Sequence, residues 1–269
     1  MSSIILAALM SVVAQDDKPI KALLVLGGCC HDYEKQKDVI TKGISARANV
    51  QWKIAYEPDK GTKKLNPVYE SAEWSKGFDV IVHDECCSDV KDTAVIENVL
   101  KPHKEGLPAI FLHCGMHSFR GEGFPKMTSW FQLTGLPSSG HGAQLPIAIT
   151  FVDKESPITK GLENWTTINE ELYNNLIPTG VLETGKPLAR GKQIEKKKDG
   201  TEKEVEFVCA WTNLYNGKAK VFGTTLGHNT ATVADAKYLD LVTRGLLWSV
   251  DKLNEGTLKP AKQVLIDGN

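Results

Sequence analysis

The chain has no surplus of charge of either sign. Its 32 Lys and Arg face 33 Asp and Glu, a formal net charge of -1. A balance that even gives no electrostatic footprint for nucleic acid. None of the six cysteines forms a C-x-x-C pair, which argues against zinc ribbons and thioredoxin-type redox motifs. No H-E-x-x-H is present. Internal repeats and linker-like tracts are missing too, so one domain is expected. Past the N-terminus, no run reaches the roughly 18 apolar residues that a membrane span needs.

The N-terminus itself is apolar. "IILAALMSVVA", Ile4 to Ala14, resembles the core of a secretory signal, with small residues at the -3 and -1 positions of a cleavage point after Ala14. The preceding "MSS" has none of the basic residues such signals usually carry. Residues 1–18 are therefore set aside as a signal peptide or disordered tail. Export to the periplasm or cell exterior is the expectation, with a cytoplasmic location as the alternative. Residues 19–255 form the expected domain and 256–269 a C-terminal tail. The cysteines fall as Cys29-Cys30, Cys86-Cys87, Cys114 and Cys209. In an exported protein a bridge between the two pairs is open; otherwise they are small buried hydrophobes.

What is present is an alternation of strands and helices. "IKALLVLGG", Ile20 to Gly28, is an apolar, β-branched run ending in two glycines, the pattern of a central parallel strand. A helix is predicted over about Glu34 to Arg47, where Val39, Ile40 and Ile44 fall on one face. "VQWKIAYE" alternates as a half-buried strand, and "FDVIVHDE" is a third strand ending in charge. Asp92 to His103 is a second helix, and "AIFL", Ala109 to Leu112, a fourth strand. This alternation implies a doubly wound α/β fold with a mostly parallel sheet flanked by helices, flavodoxin-like in outline, and a local strand order of 2-1-3-4. Further on, "QLPIAITF" reads as a strand and "KESPITKGL" as a loop with a short helix. A small β-hairpin excursion is expected near 190–208, around Asp199-Gly200. Two more strands flank Asn216-Gly217, and a helix through Tyr238, Leu241, Val242, Leu246 and Ser249 closes the chain.

The polar chemistry gathers where such sheets bind ligands, at the carboxyl ends of the strands. His31 follows strand 1; His83, Asp84 and Glu85 end strand 3. His113 ends strand 4 with His117 just beyond, and His228 ends the last strand. His141 lies in a Gly-bounded loop. Of the seven histidines only His103 is expected on a helix away from this edge. His83 could instead point into a helix interface.

"PAIFLHCGMHS" has the strand–turn–helix outline of a nucleophile elbow. It resembles the elbow of class I glutamine amidotransferases, yet His113 stands at the nucleophile position and Cys114 falls one residue late. Gly227-His228-Asn229 replaces that family's His-x-Glu, so no amidotransferase activity is expected. General acid–base catalysis is favoured, because histidine titrates near neutrality. His113 and His228 would handle protons, with Glu171 as partner acid on a "NEELY" loop covering the site. Gly28, His31, Asp84, His117, His141 and Tyr173 would bind substrate. No cofactor is expected; the alternative is a Zn ion on His31, His113 and His228. A non-catalytic binding module is also open, with Trp130, Trp211 or Tyr215 stacking on the ligand.

Taken together, "VLGGCCHDY", "IFLHCGMHSF", "SPITKGL", "NEELY", "AWTNLYNGKAKVFGTTLGHN" and "LVTRGLLWSV" resemble ThuA-like (trehalose-utilisation) proteins in order and spacing. The resemblance runs from about Lys21 to Leu253. It implies a class I glutamine amidotransferase-like fold and a link to sugar catabolism, including disaccharides and their keto derivatives. The family's segments fall on Gly28 and His31, on His113, on Glu171 to Tyr173 and on Leu226 to His228. Cys114 followed by Met116-His117 departs from the family's usual pattern. The implied partner is a small-molecule carbohydrate, with no nucleic acid and no membrane span; a homodimer is open.

Overall fold

The computed structural model describes residues 18–121, 123–196, 199–254 and 256–258. The segment on which export rests therefore lies outside the described residues, apart from Lys18. So does most of the C-terminal tail.

β1 (Ile20–Gly28) shows why the chain layers as it does. Ala22, Leu24 and Leu26 enter one apolar cluster, and Leu23 and Val25 enter a second on the other face. A strand that is apolar on both faces has to be covered on both. α1 (Tyr33–Ser45) and α5 (Ala236–Ser249) cover the first face, through Val39, Ile40, Ile44, Leu241, Val242 and Leu246. α2 (Thr93–Glu105) covers the second through Ile96, Val99 and Leu100, joined by Trp130 and Leu133 of α3 (Ser129–Thr134). α4 (Thr230–Val233) is a single turn before α5. Aspartates start the three long helices: the side chains of Asp32, Asp92 and Asp235 accept from the free N–H groups of the first turn.

The remaining strands are β2 (Val50–Glu57), β3 (Val80–Cys86), β4 (Ala109–Leu112), β5 (His141–Phe151), β6 (Trp165–Tyr173), β7 (Gly185–Lys196), β8 (Glu202–Tyr215) and β9 (Ala219–Thr224). All nine form one sheet in the order β2-β1-β3-β4-β9-β8-β7-β5-β6. The 2-1-3-4 order expected from the sequence is present. The mostly parallel character is not. β2, β1, β3, β4 and β9 run parallel, whereas the β9–β8, β8–β7, β7–β5 and β5–β6 pairs are antiparallel. The reason is the connections. α1 and α2 carry the chain between parallel strands in the first half, whereas β5–β6, β7–β8 and β8–β9 are consecutive strands that pair directly with each other and so run antiparallel. At Asn216-Gly217 both residues take positive φ, 51° and 66°, the tight turn that antiparallel neighbours favour. The hairpin expected near 190–208 is larger than an excursion. β7 and β8 pair from Gly185 opposite Asn213 to Lys196 opposite Glu202, as two full members of the main sheet.

Three further expectations are corrected. "NEELY" is the end of β6, not a loop, and His141 opens β5, paired with Tyr173. Glu170 and Glu171 hide this in the sequence because carboxylates are poor strand formers; here their charges meet donors in the site. "SPITKGL" is a series of turns without a helix. Among the described residues no helix is long and apolar enough to cross a membrane.

Candidate active site

The site starts where β4 stops. His113 to His117 form a short 3-10 turn whose first residue takes a left-handed φ of 40°. That conformation costs energy for a residue with a Cβ, and here it swings the His113 ring back over the strand ends. Gly115 lets the turn lie against β3. A Cβ there would sit 2.2 Å from the His83 carbonyl oxygen.

His113 is oriented from both sides. Its Nδ1 lies 2.5 Å from the Thr225 carbonyl oxygen. A carbonyl only accepts, so Nδ1 carries the hydrogen and Nε2 is the nitrogen left to take a proton. Nε2 faces the Tyr173 hydroxyl at 3.0 Å and Glu171 Oε2 at 3.3 Å. The other carboxylate oxygen, Oε1, lies 3.1 Å from His228 Nδ1. That is close enough to pair, though the ring is not aligned for a hydrogen bond. His141 Nε2 reaches Glu171 Oε2 at 3.4 Å. Glu171 thus stands among three imidazoles. Burial opposes its charge, but His113, His228 and His141 outweigh burial and hold its pKa well below the usual carboxylate range. The sequence-based role of Glu171 as an acid is therefore corrected: at neutral pH it is a carboxylate. The same pairing raises the His228 pKa, against a smaller opposing effect of burial.

A second set of contacts fixes His31 and His228. His31 Nδ1 donates to the His228 carbonyl oxygen at 3.2 Å, and Gln36 donates to the same oxygen at 3.2 Å. Glu170 accepts from the backbone N–H groups of His228 and Asn229 at 3.0 and 2.8 Å. The His31 ring packs 4.8 Å from that of His113 and 4.7 Å from that of His228. His117 stacks on Tyr173 at 4.0 Å and contacts Ser138 Oγ at 2.8 Å; burial, then Arg120, pushes its pKa well down.

The thiols lie behind this cluster. Cys114 Sγ is 2.9 Å from His31 Nε2. Its contact with Cys86 and its burial nonetheless push its pKa well up, so it is a packed thiol and a poor nucleophile. Cys29 and Cys30 are bonded to each other, and Cys86 and Cys87 are free. The bridge between the two pairs is thus absent, although Cys29 Sγ and Cys86 Sγ lie 3.4 Å apart.

Exposure shows where the centre meets solvent. The side chains of His113 and Glu171 are 2% and 9% exposed, His228 14% and His141 39%. Beside them, past the ends of β1 and β2, a cleft of about 460 Å³ is lined by Gly28, His31, Tyr33, Tyr56 and Lys60 among others. Gly28 is required there: its φ is +103°, and a Cβ would meet the Cys86 carbonyl oxygen at 2.6 Å. A larger hollow, about 660 Å³, lies at the far end of β8 near Met127 and Tyr215 and includes none of the site residues.

The structure thus brings together His31, His113, His117, His141, Glu171, Tyr173 and His228, with Gly28 in the adjoining cleft. Asp84 is not among them: it is buried, and burial, then Cys114 and Glu85, push its pKa well up. His83 points to the other face. There it stacks on Phe111 at 5.0 Å and bonds Glu85 and His103 at 2.9 and 3.2 Å. Trp130 and Trp211 are core residues, and Tyr215 borders the far hollow, so none of the three offers a stacking face at the site. Two contributors had no sequence signal. Gln144 lies over the centre, 3.2 Å from Glu171 Oε1 and 2.8 Å from His228 Nε2. One amide nitrogen, Nε2, makes both contacts, and it donates to the carboxylate. Glu170 was indistinguishable from its neighbour. For a metal, the ligand atoms of His113, Glu171 and His228 fall within 4.8 Å of one another, as do those of His31, His113 and Cys114. The set of His31, His113 and His228 expected for Zn is therefore split between two groupings.

No curated protein matches the chain. Among solved structures, a ThuA-like protein from Parabacteroides merdae ATCC 43184 superposes with a TM-score of 0.61 at 20% identity, over 90% of this chain and 92% of that one. A ThuA-like protein from Bacteroides uniformis ATCC 8492 does so with 0.60 at 16% identity, over 89% and 95%. The GH42 β-galactosidase Gan42B shares the fold with a TM-score of 0.52 at 6% identity, over 87% of this chain and 30% of that one. The ThuA family, described as trehalose utilisation, matches residues 22–249, nearly the whole described chain, and the protein belongs to that family.

Proposed function

We propose that the protein is a carbohydrate-processing enzyme that acts on a sugar or keto-glycoside by general acid–base catalysis. The observation that carries this reading is the His113–Glu171–His228 arrangement. One imidazole presents a single proton-accepting nitrogen, and another is held towards its charged form by the carboxylate they share. His113 Nε2 is the base and His228 the acid. Glu171 stays ionised between them and offsets the positive charge that forms on His113.

Keto-sugars suit this machinery because a carbonyl acidifies the neighbouring C–H bond. His113 removes that hydrogen as a proton. The C–H electron pair forms the new C=C bond, the glycosidic C–O bond breaks, and the leaving oxygen takes its proton from His228. Family membership supports a carbohydrate as substrate. His113 at the elbow and the high pKa of Cys114 support the absence of an amidotransferase nucleophile. Positioned acid–base groups contribute about 10²–10⁴-fold each. His113→Ala and His228→Ala, assayed singly on keto-glycosides, are each expected to lose turnover by that order. Full activity in both overturns the reading.

The ligand atoms within 4.8 Å favour a second reading, a Zn-dependent hydrolase. His113, Glu171 and His228 would hold the ion, and Nδ1 of His113 is already turned to a carbonyl, as a ligating histidine requires. Zinc would supply Lewis acidity and an acidified water. Elemental analysis of protein purified without a His tag, returning about one zinc per chain, would favour it.

A further inference from the structure

We propose that the cleft beyond β1 and β2 is a subsite for the second ring of a disaccharide, with Tyr56 as its stacking platform. The inference rests on the carbohydrate reading above and adds to it where the far end of the substrate lies.

The cleft is placed for this. Its inner wall is His31, whose ring touches the rings of both His113 and His228. A ligand lying in the cleft is thus one ring's thickness from the proton-transfer centre. Its volume, about 460 Å³, falls in the range of small-molecule sites, roughly 300–1,000 Å³. The outer wall carries the chemistry that recognises a sugar. Tyr56 is a flat apolar face with a polar tip, suited to the C–H face of a pyranose. It is held in place beforehand: the Lys37 ammonium lies 5.4 Å from its ring centroid. Lys37 is itself fixed by Glu34 at 2.5 Å. A preset platform loses little freedom when ligand arrives. Lys60 adds a hydrogen-bond donor for sugar hydroxyls. Tyr33 closes the floor of the cleft.

Calorimetric titration of the full chain with trehalose and with glucose tests the assignment without requiring turnover. Wild type is expected to bind trehalose more tightly than glucose. Tyr56→Ala is expected to weaken trehalose binding about tenfold and leave glucose unchanged, while Tyr56→Trp restores most of the loss. Equal affinity of wild type for the two sugars, or equal trehalose affinity of wild type and Tyr56→Ala, overturns the subsite. Turnover of keto-glycosides is measured alongside. If the trehalose preference depends on Tyr56 but His113→Ala and His228→Ala turn over as wild type does, the subsite stands and the acid–base reading falls.

Discussion

Replacing Glu171 with Gln keeps the side chain's size and removes the charge that the surrounding imidazoles share. The His228 pKa, raised by that carboxylate, is expected to fall in Glu171→Gln, readable as a shift of its ring-proton NMR titration; an unmoved titration would refute the pairing. Stability follows with a definite sign. Glu171 has a folded pKa below its ordinary 4.5, so its contribution is present above about pH 4.5 and is lost as pH falls through the lowered folded value. His228 has a folded pKa above its ordinary 6.5. Its contribution is complete below pH 6.5 and is lost as pH rises through the raised folded value. The stability difference between wild type and Glu171→Gln, from urea titrations across pH, should therefore be widest between about 4.5 and 6.5. On the other face, burial and then His83 lower the His103 pKa to about 3. A buried neutral histidine favours the folded chain only while the unfolded one is also neutral. His103 thus makes the protein lose stability as pH drops from 6.5 towards 3.

Among the elements, the turn after β4 bears the tightest constraint. Gly115→Ala places a methyl group against the His83 backbone, which cannot swing aside. A loss of about 2 kcal/mol is expected, in the usual range for overpacking, measured by urea denaturation. The parallel half of the fold was legible in the sequence because its inner strands are apolar on both faces, its edge strand β2 alternates, and its long helices have an apolar stripe. Leu23 and Leu24, pointing opposite ways and both buried, are the plainest case. The strand-end histidines were legible for the same reason, since the fold dictates where strands end. β6 was not. Its last residues, Glu170 to Tyr173, are all buried, and two of them are acids. No alternation marks such a strand, because the partners of those acids come from segments far along the chain. Gln144 was hidden too: a polar residue on a half-exposed strand carries no sign that it covers a carboxylate.

For the molecule as a whole, the two halves of the sheet are joined through β9, which pairs with β4 on one side and β8 on the other. The site needs both: His113 follows β4, while Glu171 and Tyr173 belong to β6. Loss of far-UV circular dichroism and loss of keto-glycoside turnover in urea should share one midpoint. Two separated transitions would show that the halves melt independently. The antiparallel strands also enclose His113, leaving its side chain almost wholly inside the protein. Isotopes would register that enclosure. A hydron lifted onto Nε2 meets Tyr173 and Glu171 before it meets bulk water, so it escapes only when the enclosure opens. In deuterium oxide, substrate recovered from a partly completed reaction should hold most of its original protium, a record of how seldom the solvent visits the base.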